Sequence, residues 1–174
     1  RDGNDFGVVI LGRPYNAFVS EAHMGIPQKF ASRGIPVIPV DFLPTGDADG
    51  AKHMYWSAGK TILRGADFIG SHPRLFACYI SNFSCGPDSF IIGFARDRMG
   101  EKPMLVLELD SHTADAGLET RIEAFIDIIR NYLRLQDSGT LPPRAKTQPV
   151  KTHYDATRDV IVDSRGRAYP LSDP

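Results

Sequence analysis

Leu75-Phe-Ala-Cys-Tyr-Ile80, followed by the turn Asn82-Phe-Ser-Cys-Gly-Pro-Asp88, decides the fold. The first six residues form a continuous apolar run of strand length, the pattern of a strand covered on both faces. In the turn, Pro87 suits the first turn of a helix, so a helix is expected as far as Met99, ended by Gly100 and Pro103. Working outward, Phe6–Gly12, Ile35–Val40 and Met104–Leu109 repeat the apolar strand pattern. Ser20 can cap a helix from Glu21 to Ser32 that Gly34 stops, and a further helix is expected over 51–66. Leu118, Ile122, Phe125, Ile126, Ile129 and Leu133 fall at helical spacing and close the unit with a long amphipathic helix.

Strands alternating with helices imply a three-layer α/β/α fold with a mostly parallel, Rossmann-like or flavodoxin-like sheet. The expected strands are 7–12, 36–40, 75–81 and 104–109, with helices on both faces. Pro36 and Pro39 each remove a ladder donor, which argues against a central place for the second strand. Residues 1–135 read as this α/β domain and 136–174 as an extended tail carrying a small hairpin. Pro142, Pro143 and Pro149 make the tail irregular, and Asp159 to Tyr169 reads as a hairpin turning at Ser164–Gly166.

The chain of 174 residues has a net charge of −1, which gives no field to recruit nucleic acid or anionic lipid. Its apolar runs are too short to span a membrane, and no secretory apolar region opens it, so a cytoplasmic protein is expected. The start at Arg1 rather than methionine suggests a domain excised from a longer chain. Two cysteines make neither a disulfide framework nor a four-ligand metal site.

In open parallel sheets, ligands bind beyond the carboxyl ends of the strands. Gly12–His23, Asp41–Gly50, Ser81–Asp88 and Asp110–Gly117 occupy that position here. Cys85 is the sharpest candidate, because a helix N-terminus favours a thiolate that can ligate metal or act as nucleophile. The competing reading is a small apolar residue filling a loop. Cys78, inside the strand, reads as an inert core cysteine. As a nucleophile, Cys85 lacks a histidine placed near it in the sequence, which weakens a hydrolase reading.

Arg13, in Gly12-Arg-Pro-Tyr-Asn16, can clamp a phosphate or carboxylate, with Asn16 beside it; alternatively it pairs with a loop aspartate. Neither a phosphate-loop nor a dinucleotide glycine spacing is present. His23 reads as a ligand or proton donor, or as a solvated helix histidine. Glu108 and Asp110 at the fourth strand end can serve proton transfer, or cap the next helix and hold Arg121. Tyr55 and Trp56 read as core aromatics of a helix that also carries Lys60.

Several segments together resemble a known family: Gly12-Arg-Pro-Tyr-Asn16, Met24-Gly-Ile-Pro27, Val37-Ile-Pro-Val-Asp-Phe-Leu-Pro44, Met54-Tyr-Trp-Ser57, Asn82-Phe-Ser-Cys-Gly-Pro-Asp-Ser-Phe90, Leu107-Glu-Leu-Asp-Ser-His112 and Ala116-Gly-Leu-Glu-Thr-Arg-Ile-Glu-Ala-Phe125. The series, over about Gly7 to Leu133, is similar to the large activase-related proteins of the 2-hydroxyacyl-CoA dehydratase system. Those proteins join an ATPase module to a region similar to the dehydratase iron–sulfur subunits. The resemblance implies that Cys85 ligates a [4Fe–4S] cluster whose other cysteine ligands lie upstream of Arg1, so the cluster is expected in the complete protein and not in these 174 residues. It further implies ATP bound in an upstream module of the same chain, and a dehydratase or related cluster protein as electron acceptor. A homodimer is compatible with it. The alternative is a non-catalytic α/β module that docks a partner or a small ligand without metal.

Overall fold

The computed structural model describes residues 5–45, 54–110, 112–141, 152–155, 160–163 and 168–170. The chain divides into two compact units, Arg1–Pro142 and Pro143–Pro174. In the first, strands β1 (Gly7–Gly12), β2 (Val37–Pro39), β3 (Leu75–Asn82) and β4 (Met104–Leu109) form one sheet in the order β2-β1-β3-β4. All its pairings are parallel: Val9 lies opposite Ile38 and Ala77, and Ile80 opposite Leu107. The helices are α1 (Pro14–Ala17), α2 (Ile26–Ala31), α3 (Ser57–Ser71), α4 (Gly86–Met99) and α5 (Asp115–Asp137).

The two-residue period of the strands sorts their side chains into two cores. Val8, Ile10, Phe76, Cys78 and Ile80 join Ile26 and Phe30 of α2 and the apolar stripe of α5. Val9, Leu11, Ala77 and Tyr79 join Ile62, Leu63, Ala66 and Ile69 of α3, with Ile91, Ile92, Ala95 and Met99 of α4. Helices therefore cover both faces, as the alternation of apolar runs implies. β2, with Pro39 in it, is an edge strand, where a missing donor has no second neighbour to disappoint.

Two helix starts differ from the sequence expectation. The helix expected from Glu21 begins at Ile26, because Met24 and Gly25 both take positive φ values (50° and 69°) that a right-handed helix cannot contain. The helix expected over 51–66 runs over Ser57–Ser71, and 51–53 lie outside the described residues. Tyr55 and Trp56 thus precede α3, and they are not core: Tyr55 is 94% exposed and Trp56 36%.

In the second unit, β5 (Thr152–Asp155), β6 (Val160–Asp163) and β7 (Ala168–Pro170) form an antiparallel three-stranded sheet. The β6–β7 pair is the expected hairpin; its turn at Ser164–Gly166 lies outside the described residues. β5 is an additional strand, pairing Thr152 with Asp163 and Asp155 with Val160.

Candidate site at the carboxyl edge of the sheet

β1 leads to β2 on one side through α2 and one core, whereas β3 leads to β4 on the other side through α4 and the second core. The carboxyl ends of β1 and β3 are therefore a topological switch point, where α/β sheets open a crevice. Gly12 makes that crevice narrow. At φ 146°, a Cβ on Gly12 would stand 2.5 Å from the Ile80 carbonyl oxygen, so only glycine lets β1 leave the sheet this close to β3.

Arg13 and Asp88 meet across this crevice. Asp88, in the first turn of α4, is fully buried and its Oδ2 accepts from Arg13 Nη2 at 3.1 Å. Ser81 Oγ donates to the same oxygen at 2.6 Å, and the Tyr79 hydroxyl donates to Oδ1 at 3.1 Å. Burial, reinforced by the Asp88 charge, pushes the Tyr79 hydroxyl far above its ordinary range, so it remains a donor. A buried carboxylate needs this many partners. Arg13 thus has a structural partner, though on a helix rather than a loop, and Nη1 faces the Tyr15 hydroxyl.

Two donors at the crevice lack partners. Arg13 Nε is buried with no acceptor, and so is Asn16 Nδ2. Asn16 is 2% exposed, and its Oδ1 accepts from Asn82 Nδ2 at 3.0 Å. This joins the loop after β1 to the loop after β3. Sequence reading named Arg13 and Asn16 but missed their partners Asp88 and Asn82, and missed Ser81 and Tyr79, which hold Asp88. A polar Ser81 at the end of an apolar run was the available signal.

Cys85 sits at the N-cap of α4, half-buried, behind Ser84 in a left-handed conformation (φ 58°). Its N–H donates to the Asn82 carbonyl at 3.1 Å, and Ser89 N–H and Oγ both donate to its carbonyl at 2.9 Å. Cys78 is fully buried, and desolvation pushes its thiol far up. Since the four strands are parallel, Arg13, Cys85 and Asp110 all lie just past strand ends on one edge. The Phe83 N–H donating to the Leu109 carbonyl at 2.9 Å holds the Cys85 loop against the end of β4.

The remaining candidates stand apart. His23 is buried at 5% exposure in a turn, its Nδ1 accepting from Gly25 N–H at 3.2 Å, so it is not a solvated helix histidine. That bond helps hold the turn that delays α2. Glu108 is exposed. Asp110 does not cap α5, whose N-cap is Ala114; it closes its own loop, accepting from Thr113 Oγ1 at 2.7 Å and His112 N–H at 3.0 Å. The Thr113 hydroxyl chiefly lowers the Asp110 pKa. Arg121 donates to the Val106 carbonyl at 2.6 Å rather than to either acid. A shallow cleft of about 290 Å³ lined by Arg33, Glu123, Ile126, Asp127 and Arg130 includes no residue of the strand-end loops.

A [4Fe–4S] cluster is held by about three or four protein ligands. Among the described residues, no group of three His, Cys, Asp or Glu side chains converges, so these residues do not fit such a cluster by themselves. Nor is any described helix long and apolar enough to cross a membrane.

No curated protein and no solved structure matches the chain. Residues 1–43, the segment that carries β1, Arg13, Asn16 and His23, match the family described as the CoA enzyme activase uncharacterised domain.

Proposed function

We propose that this domain serves the electron-transfer side of an ATP-dependent activator or reductase coupled to 2-hydroxyacyl-CoA dehydratase-type chemistry. Cys85 supplies one thiolate to a [4Fe–4S] cluster in the complete protein. The remaining ligands and the ATP site belong to polypeptide upstream, and the electron acceptor is a dehydratase or related cluster protein in the cytoplasm. When bound, such a cluster supplies one-electron chemistry at low potential. The observation that carries this reading is the placement of Cys85: half-buried at the carboxyl edge beside the switch-point crevice, while Cys78 is sealed in a core. This chain's own part is to hold the thiol at the start of α4, through the Ser89 and Asn82 backbone bonds, on a support fixed by Arg13 and Asp88.

The test is anaerobic iron loading. The 174-residue chain should take up little iron, whereas a polypeptide extended at its amino end should bind iron and lose it on Cys85→Ser. Stoichiometric cluster in the short chain, or unchanged iron in the extended Cys85→Ser protein, overturns the reading.

A second reading, a small-ligand or docking module without metal, is favoured by the two unpartnered donors, Arg13 Nε and Asn16 Nδ2. They suit a carboxylate or phosphate oxygen. Thermal stabilisation by millimolar carboxylates or phosphates, lost in Asn16→Leu, would support it. No shift with any of them would remove it.

A further inference from the structure

The outer face of α4 is apolar where a solvated helix would be charged. Gly86, Phe90, Gly93, Phe94 and Asp97 fall on one stripe roughly 100° wide, opposite the buried Ile91, Ile92, Ala95 and Met99. Phe90 is 66% exposed and Phe94 46%, their rings 5.0 Å apart edge to face. A Cβ at Gly86 or Gly93 would meet nothing within 4 Å. Two projecting rings therefore stand beside two flat, open positions. Of the two cations that border this stripe in sequence, Arg98 is turned onto Asp67 of α3, and Arg96 is exposed at its margin.

We propose that this face joins two copies of the chain through an antiparallel α4–α4 pair about a two-fold axis. The sequence is self-complementary in that arrangement. An axis passing between Ile91 and Ile92 sets Phe90 over the partner's Gly93, and the same register sets Asp97 against the partner's Gly86. Each Phe90 ring thus enters the space a glycine leaves, which lets the helices approach to about 8 Å, and Phe94 falls opposite the partner's Ser89. Each Asp97 carboxylate lies at the positive N-terminal end of the partner's α4. The two-fold axis makes every such contact twice, as an isologous interface requires.

Phe83, 67% exposed, precedes Cys85 in the loop that leads into α4. Phe90 and Phe94 form the apolar centre of the interface, with the exposed Ser89, Arg96 and Asp97 around them. The antiparallel register keeps the two Cys85 residues about 20 Å apart along the helix axes. The interface is thus independent of any role for Cys85 in metal binding.

Sedimentation velocity of the 174-residue chain tests the proposal. The wild type should sediment as a dimer at tens of micromolar. Gly93→Lys should be monomeric there with its helix content unchanged, since the position is open and lysine is a better helix former than glycine. Phe90→Lys should behave alike, and Ile128→Lys, on the exposed face of α5, should remain dimeric. A monomeric wild type at about 100 µM would mean that something other than a second copy covers the face, and the proposal would fail. A Gly93→Lys protein that stays dimeric would place the interface elsewhere and overturn it equally.

Discussion

Each edge of the parallel sheet holds a cation against its core, buried at the amino edge and half-buried at the carboxyl edge. At the amino edge, Lys102 is 8% exposed, and its Nζ donates to the carbonyls of Ile69 at 2.9 Å and Leu75 at 2.6 Å, with His72 as a third acceptor. All three ammonium donors are occupied, and the end of α3 is closed. At the carboxyl edge, Arg13 reaches the buried Asp88 yet keeps Nε unpaired, next to the unpaired Asn16 amide. At the Lys102 corner every donor of the cation is used. The carboxyl edge carries buried polar capacity that the fold does not use, together with a half-buried thiol. Unpaired buried donors cost stability, so the pair on Arg13 and Asn16 makes the carboxyl edge the candidate place for a ligand.

The largest expected contrast concerns the two thiols. Cys85 should react with iodoacetamide in the native protein, whereas Cys78 should react only through unfolding. A difference in rate of roughly 10³-fold or more is expected for a core residue of a stable domain. Peptide mapping after timed labelling measures it. Comparable rates would show that the β3 core opens readily and that the edge is not special.

Next comes the buried ion pair. Asp88→Ala strands Arg13 and removes the acceptor of Tyr79 and Ser81, so it should cost about 3–5 kcal/mol in urea unfolding. A loss under about 1 kcal/mol would mean that water replaces the carboxylate, and that the crevice is wetter than its geometry implies.

At the amino edge, Lys102→Met leaves three carbonyls without their donor, at about 2–3 kcal/mol near neutral pH. This variant has a pH signature too. Burial pulls the Lys102 pKa from its ordinary 10.5 to about 8, so between those values the unfolded chain holds the extra proton and stability rises with pH. Cys78 and Tyr79 act oppositely: burial raises both, so the unfolded chain loses their protons first and stability falls as pH climbs past the ordinary thiol value of 9.0. The rise should therefore show between about pH 8 and 9 and vanish in Lys102→Met. A rise that persists in the variant would assign it to another group.

How much of this was readable beforehand depended on the distance over which each feature is determined. β1, β3 and β4 are apolar runs whose identity is local, and Pro36 and Pro39 pointed β2 toward an edge. The start of α2 was hidden because Met24, an ordinary residue, takes a left-handed conformation that the turn around His23 supports. Tyr55 and Trp56 look like core by composition, and only the position of α3 shows that they lie outside it. Arg13 and Asp88 are 75 positions apart, so no local pattern could pair them. Lys102 looks like any surface lysine until three carbonyls from one corner of the fold converge on it. The edge that holds the candidate site was legible; the pairing within it was not.

The smallest effect belongs to the charges that join α2 to α5. Lys29 and Arg33, at and just beyond the end of α2, meet Asp115, Glu119 and Glu123 of α5, with Lys29 Nζ 2.7 Å from Glu119 and 2.6 Å from Asp115. The bonds from Lys29 and then Arg33 hold the Glu119 pKa below its ordinary value. An acid so lowered contributes stability above its ordinary pKa of 4.5 and loses it as pH falls through the folded value. Glu119→Gln should therefore be slightly less stable than wild type at neutral pH, and the two should converge in acid. Because these groups face solvent, the deficit should also disappear at about 1 M salt, where the screening length shrinks to roughly 3 Å. The Asp88→Ala deficit should survive that salt, since Asp88 is fully buried. Unfolding both variants at low and high salt thus separates a screened surface network from a buried crevice pair. If the Asp88→Ala deficit shrank with salt as the Glu119→Gln deficit does, the crevice would be solvated, and the unpartnered Arg13 and Asn16 donors would be hydrogen-bonded to water instead of held for a ligand.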